Sequence, residues 1–86
     1  MATLAIMVRL VIDTRSPEPS YAQLARQLRE AITSGEIGPD EPLPSIQHIV
    51  GETGLAVGTV RRAIGVLVDE GYAYTVPGRG TYARKP

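Results

Sequence analysis

The sequence contains no cysteine. That excludes a disulfide framework and any thiolate metal site, and it fits a reducing compartment such as the cytoplasm. It has a single histidine, His48. With no second His and no Cys to share an ion, His48 reads as a polar helix-surface residue, and neither metal nor cofactor is expected. A hydrophobic run of the about 20 residues that a bilayer demands is missing too. The apolar stretch Leu4–Ile12 is interrupted by Arg9 and preceded by no Lys or Arg, so it is read as structure and not as a signal peptide, and no membrane partner is expected. Also absent is an excess of charge of one sign, since 9 Lys and Arg balance 9 Asp and Glu. Taken alone this argues against a nucleic-acid partner, because phosphates favour cationic surfaces.

The 86 residues suffice for one domain with one small core, and 43% hydrophobic residues can fill it. The balanced charge is unevenly placed. Residues 1–44 carry Arg9, Arg15, Arg26 and Arg29 against six acids, whereas residues 45–86 carry Arg61, Arg62, Arg79, Arg84 and Lys85 against Glu52, Asp69 and Glu70. The positive half is the one whose residues could read DNA.

Over residues 3–13 Leu4, Ile6, Val8, Leu10 and Ile12 alternate with the rest, a period of two that predicts a strand ended by Ser16-Pro17-Glu18-Pro19. A helix is predicted over residues 20–34. Ser20 is its expected N-cap and Gln23 the reciprocal partner in a capping box; Tyr21, Leu24, Leu28 and Ile32 form its apolar stripe, and Gly35 stops it. Arg26, Arg29 and Glu30 fall off the stripe and are expected to be solvated. Glu36–Pro44, with three Pro and a Gly, reads as an irregular connection. A second helix opens at Ser45, an N-cap ahead of Ile46, Ile49 and Val50. Gly54 supplies a left-handed turn, and a third helix follows over residues 57–70, with Val60, Ala63, Ile64, Leu67 and Val68 inward and Gly71 at its end. Residues 72–76 and 81–84 read as a hairpin around Pro77-Gly78-Arg79-Gly80.

Two short helices joined by a glycine-containing turn, then a hairpin, make a winged helix-turn-helix: a mainly α fold with a small antiparallel sheet. In that geometry the third helix enters the major groove. At 100° per residue Gly58, Thr59, Arg62, Gly65 and Val66 point outward, with Arg61 on the flank. The glycines let the helix approach closely, Arg suits bidentate contact with guanine, and Thr59 can donate to a phosphate. Ser45 and the amides after it can clamp a phosphate at a helix N-terminus, and Arg79 at the hairpin tip can enter the minor groove. Tyr72, Tyr74 and Tyr82 read as sheet-packing residues rather than platforms for bases. Asp69 and Glu70 are adjacent on a helix and do not face each other, and no nucleophile–base arrangement or phosphate-cradling loop is present, so no enzyme is expected.

These residues carry a family resemblance. Pro19-Ser20-Tyr21-Ala22-Gln23-Leu24, Gly35-Glu36-Ile37-Gly38-Pro39, Leu43-Pro44-Ser45, Thr59-Val60-Arg61-Arg62-Ala63-Ile64, Leu67, Glu70-Gly71 and Gly78-Arg79-Gly80-Thr81-Tyr82 resemble, in order and at its spacing, the DNA-binding domain of the GntR family of bacterial transcription regulators. The resemblance implies a regulator, a repressor more than an activator, that binds a short palindromic operator in double-stranded DNA as a homodimer in the cytoplasm, at the nucleoid. It implies that Arg61 reads bases, that Ser45, Thr59 and Tyr21 sit near phosphates, and that Gly78, Arg79, Gly80 and Thr81 reach the minor groove. The chain departs from the family pattern at Gln47, where an arginine is usual, and at Ala56 and Val57, where a hydroxyl cap and a basic residue are usual. The departures predict weaker binding or altered base preference, and a shallower salt dependence. Family members normally continue into a ligand-binding or dimerisation domain, so the chain is expected to be a piece of a longer regulator or a small one standing alone, with no effector pocket evident. The strand Leu4–Ile12 is longer than a three-stranded wing needs, and is expected to pair with a second copy. The alternative from another class is a winged-helix protein-interaction module that has lost DNA binding, which the zero net charge, Gln47 and Val57 favour.

Overall fold

Proline and glycine punctuate the chain, and helices form between the punctuation marks. The computed structural model describes residues 8–84. Its elements are α1 (Ser20–Thr33), α2 (Ile46–Thr53), α3 (Val57–Asp69), β1 (Ala73–Val76) and β2 (Gly80–Ala83). Leu24, Leu28 and Ile32 of α1, Ile49 of α2, and Val60, Ala63, Ile64 and Leu67 of α3 are buried together, with Ile37 and Leu43 from the connection and Ala73 and Ala83 from the hairpin closing the core. Each Leu or Ile fully withdrawn from water contributes about 1.5–3 kcal/mol. The apolar stripes predicted for the helices are therefore the faces that build the core, and Tyr21 packs against its edge.

The turn between α2 and α3 depends on Gly54, which caps α2 at φ 75° and returns its N–H to the Val50 carbonyl at 2.8 Å. A side chain there would be strained, so glycine alone reverses the chain in so few residues. The hairpin pairs antiparallel in the register Ala73↔Ala83, Tyr74↔Tyr82, Thr75↔Thr81 and Val76↔Gly80. Its tip is a turn with Pro77 first and Gly78 second at φ 77°, closed by the Arg79 N–H donating to the Val76 carbonyl at 2.9 Å.

Three expectations need correction. The strand over residues 3–13 is not formed by its described part: residues 8–13 run without regular structure, and the remainder lies outside the described residues. Val8 and Leu10 are buried, so the alternation is real, but the backbone pairs with side chains of α1 instead of a strand. Gln27 Oε1 accepts the Val11 N–H at 2.9 Å while Gln27 Nε2 donates to the Val11 carbonyl at 2.7 Å, and Gln23 does the same for Asp13 at 2.9 and 2.8 Å. Each amide thus satisfies both main-chain groups of one residue, as an opposite residue in an antiparallel ladder would. With one edge filled in this way, residues 11 and 13 do not offer that edge to a second copy.

The second correction follows from the first. Ser20 is not the N-cap of α1 and makes no capping box; Pro19 holds that position without a side-chain bond. Gln23 is 3% exposed and is spent on Asp13 and on the Glu18 carbonyl, which it reaches at 2.8 Å. Thirdly, the connection before α2 is not wholly irregular. The Leu43 N–H donates to the Thr81 carbonyl at 2.9 Å and the Ala83 N–H to the Glu41 carbonyl at 2.8 Å, so Glu41–Leu43 lies beside β2 as a third extended segment. Pro42 pairs opposite Tyr82 at a position where an N–H would face away from β2, so a proline is tolerated on this edge. The connection thereby ties the wing to the start of α2.

Candidate nucleic-acid interface

The site is assembled from the start of α2, the outer face of α3 and the tip of the hairpin. Ser45 caps α2 as expected, its Oγ accepting the His48 N–H at 3.0 Å. The anchoring of Leu43 to Thr81 holds this end of α2 against the wing. A cleft of about 400 Å³ results, lined by Ser45 and Gln47 of the α2 start, Ile64 of α3, and Arg79, Gly80 and Thr81 of the wing. Five predicted site residues, distant in sequence, therefore meet around one opening. Gly78 stands exposed at the turn beside them.

On α3, Gly58, Arg61 and Arg62 are exposed and Thr59 is half-buried. A Cβ added at Gly58 or Gly65 would meet nothing within 4 Å, so these positions leave the helix surface bare rather than make room for a packed neighbour. Val66, expected to point outward, is instead half-buried against the core. It sits at the margin of the stripe, one turn after Arg62, where α1 packs. Ala56 provides no side-chain cap, so the first-turn N–H groups of α3 remain available. Val57, at the first helical position, is 43% exposed, an apolar contact that the sequence pattern flags only as a missing charge.

The two arginines of α3 leave on different flanks. Arg61 is exposed and lies about 60° around the helix from Ile64, the α3 residue that lines the cleft. Arg62 turns towards α1, its guanidinium carbon 3.8 Å from the centroid of the Tyr21 ring. No sequence signal points to that contact, since nothing in local spacing relates residues 21 and 62. Among the described residues Arg61, Arg62 and Arg79 enter no ion pair; the paired cations are Arg26, 3.0 Å from Glu18, and Arg29, 2.9 Å from Glu70. Arg26 and Glu30 are exposed as expected and Arg29 is half-buried, and both arginines are also held by acids their own fold brings up. Glu18 responds: the hydrogen bond from Arg26 holds its carboxyl below the usual range.

The remaining polar groups point to no further chemistry. His48 lies exposed on α2 with Nε2 3.5 Å from Glu52 Oε1, and among the described residues no group of His, Asp and Glu could hold a metal. Tyr74 and Tyr82 stack with centroids 5.8 Å apart on the outer face of the wing, and the Tyr74 hydroxyl donates to Asp40 at 2.8 Å, which raises its pKa. Tyr72 lies under the Arg29 guanidinium. All three are engaged within the protein, as expected for sheet-packing residues.

Residues 20–83 match the family described as bacterial regulatory proteins, gntR family. Over 75 residues the chain is 44% identical to the HTH-type transcriptional repressor NagR of Bacillus subtilis, covering 87% of this chain and 31% of that protein. Over 68 residues it is 38% identical to the arabinose metabolism transcriptional repressor of Geobacillus stearothermophilus, covering 79% of this chain and 19% of that protein. The chain thus spans about a third or less of the length of these two curated relatives. Among solved structures it resembles YtrA from Sulfolobus acidocaldarius, a GntR-family transcription factor, with a TM-score of 0.82, 36% identity, and coverage of 91% of this chain and 82% of that one. It also resembles AraR(DBD) in complex with operator ORX1, with a TM-score of 0.79, 32% identity, and coverage of 87% and 96%.

Proposed function

The chain belongs to the gntR family of bacterial regulatory proteins, and from that premise we propose that it binds double-stranded DNA sequence-specifically as a transcriptional repressor, working in the cytoplasm at the nucleoid. The observation that carries the reading is the convergence of the α2 start, α3 and the wing tip around one opening, with Arg61 and Arg79 committed to no internal acid. α3 lies in the major groove. Arg61 reads a guanine edge, and Gly58 and Gly65 allow the helix to seat closely. Val57 offers its methyl groups to a thymine methyl. Ser45, Gln47 and Thr59 face the backbone, and Gly78, Arg79, Gly80 and Thr81 enter the minor groove, whose negative potential draws the guanidinium.

The reader occurs once in each chain, so a palindromic operator takes two copies and the bound form is a homodimer. The whole chain, residues 1–86, serves as one reading domain. Relatives named as repressors, and a relative solved on its operator, support the assignment.

Selection of duplexes from a random pool on the 86-residue chain tests the proposal. An enriched two-fold motif is expected, and Arg61→Ala should weaken binding to it by about 1–3 kcal/mol while relaxing preference at one base pair of each half-site. No enrichment, with retention on heparin or DNA lost at the lowest salt, would leave a protein-interaction module as the reading.

A further inference from the structure

We infer that Tyr21 is a positioning residue for Arg62, and that the pair, one residue from α1 and one from α3, sets base preference at a position Arg61 does not reach. The inference rests on the DNA-binding reading above and extends it. The Arg62 guanidinium lies over the Tyr21 ring, 3.8 Å from centroid to guanidinium carbon, while the residue as a whole stays exposed. A cation over the ring face is held by the ring's quadrupole, and an exposed guanidinium so held keeps N–H groups for bidentate contact with a guanine.

What makes Tyr21 necessary is the emptiness around Arg62. On a helix surface a side chain is steadied by neighbours three and four residues away. For Arg62 those on the outward side are Gly58 and Gly65, neither of which has a side chain, and a Cβ at either would meet no neighbouring group within 4 Å, while Thr59 and Val66 on the other side are half-buried. The same bare surface that lets α3 approach a duplex leaves Arg62 without support on its outward side. Among the described residues no acid pairs with it either. Without the ring, a side chain with about 2 kcal/mol of rotamer entropy would have to be ordered at the moment of binding. Tyr21 itself is fixed: it sits in the first turn of α1 and is half-buried against the core.

A double-mutant cycle tests this, using the duplex selected from the random pool on the wild-type chain. Tyr21→Leu should weaken binding about tenfold when Arg62 is present and less than about twofold in an Arg62→Ala background, whereas Tyr21→Phe, which keeps the ring, should stay within about twofold of wild type. Repeating the selection with Tyr21→Leu and with Arg62→Ala should relax the same base position in both. Equal losses from Tyr21→Leu in the two backgrounds, or a loss from Tyr21→Phe as large as from Tyr21→Leu, would overturn the inference, since Tyr21 would then act by itself through its hydroxyl. Arg61→Ala separates the two claims. If it weakens binding while the cycle shows no coupling, only the positioning role falls; if the wild-type chain selects no duplex, the DNA reading falls with it. Should Tyr21→Leu not fold, the δ protons of Arg62 in the DNA-free wild-type chain decide: ring-current shifts upfield are expected, and random-coil shifts would contradict the stacking.

Discussion

Two glycines on α3 set stability against function at single positions. Gly in a helix interior costs about 1 kcal/mol relative to Ala, and nothing in this fold needs Gly58 or Gly65 to lack a Cβ. Gly58→Ala and Gly65→Ala should therefore each raise unfolding free energy by about 0.5–1 kcal/mol in urea titration. Both should weaken duplex binding at the same time, because a methyl group stands α3 off the groove. Unchanged affinity in both variants would mean that this face does not meet DNA. The contrast with Gly54 is instructive. Its φ of 75° makes any side chain strained, and Gly54→Ala should destabilise, not stabilise.

At the scale of the element, α1 is both a core helix and an edge for an extended segment. Residues four apart on a helix are separated by about 6 Å, and residues two apart on an extended chain by about 6.6 Å. Gln23 and Gln27 can therefore pair in step with Asp13 and Val11, running antiparallel. This is why the alternation of residues 3–13 was legible as extended structure but misleading as to its partner: the pattern reports which side chains are buried, not what meets the backbone. The capping-box motif misled for a related reason. Ser20 and Gln23 have the right spacing, yet the buried Gln23 amide has three main-chain partners from residues 13 and 18. Gln23→Ala should cost about 1–3 kcal/mol, since it strands three part-buried main-chain groups, whereas Gln27→Ala, whose bonds are exposed to water, should cost about 0.5–1 kcal/mol. Equal costs in chemical denaturation would argue against this division. The first and third helices and the hairpin, by contrast, are legible to within a residue or so, because Leu24, Leu28, Val60, Ile64 and Leu67 report burial directly through their spacing, whereas α2 runs on to Thr53 past Gly51, where the sequence suggests a turn. The contact of Arg62 with Tyr21 and the anchoring of Leu43 to Thr81 were not legible, since both join residues far apart in the chain.

The whole molecule carries no net charge, so attraction to DNA depends on where its arginines are, not on their number. Three acids are paired with cations outside the proposed reading residues: Glu18 and Glu30 with Arg26, and Glu70 with Arg29. Arg61, Arg62 and Arg79 are thereby left to a duplex. Three such groups per chain predict a slope of log affinity against log salt of about −3 per protomer, less if Arg61 or Arg62 is spent on bases. A slope near −6 per protomer would mean phosphate contacts from surfaces not assigned here. Gln47 and Val57 stand where cations are usual in the family, and Gln47→Arg should tighten binding and steepen that slope by about one unit. The fold class was legible because the residues that shape the core and, Val66 excepted, those that face outward on α3 are read from one period.

Backbone amide shifts of the labelled chain, followed by NMR as the selected duplex is added, locate the DNA contact residue by residue. Perturbations are expected to cluster at Ser45–Gln47, Val57–Arg62 and Gly78–Thr81, with Asp13, Glu30 and Asp69 unmoved. Shifts confined to the α1 face or to the outer tyrosine face of the wing, with the α3 start and the wing tip silent, would contradict it.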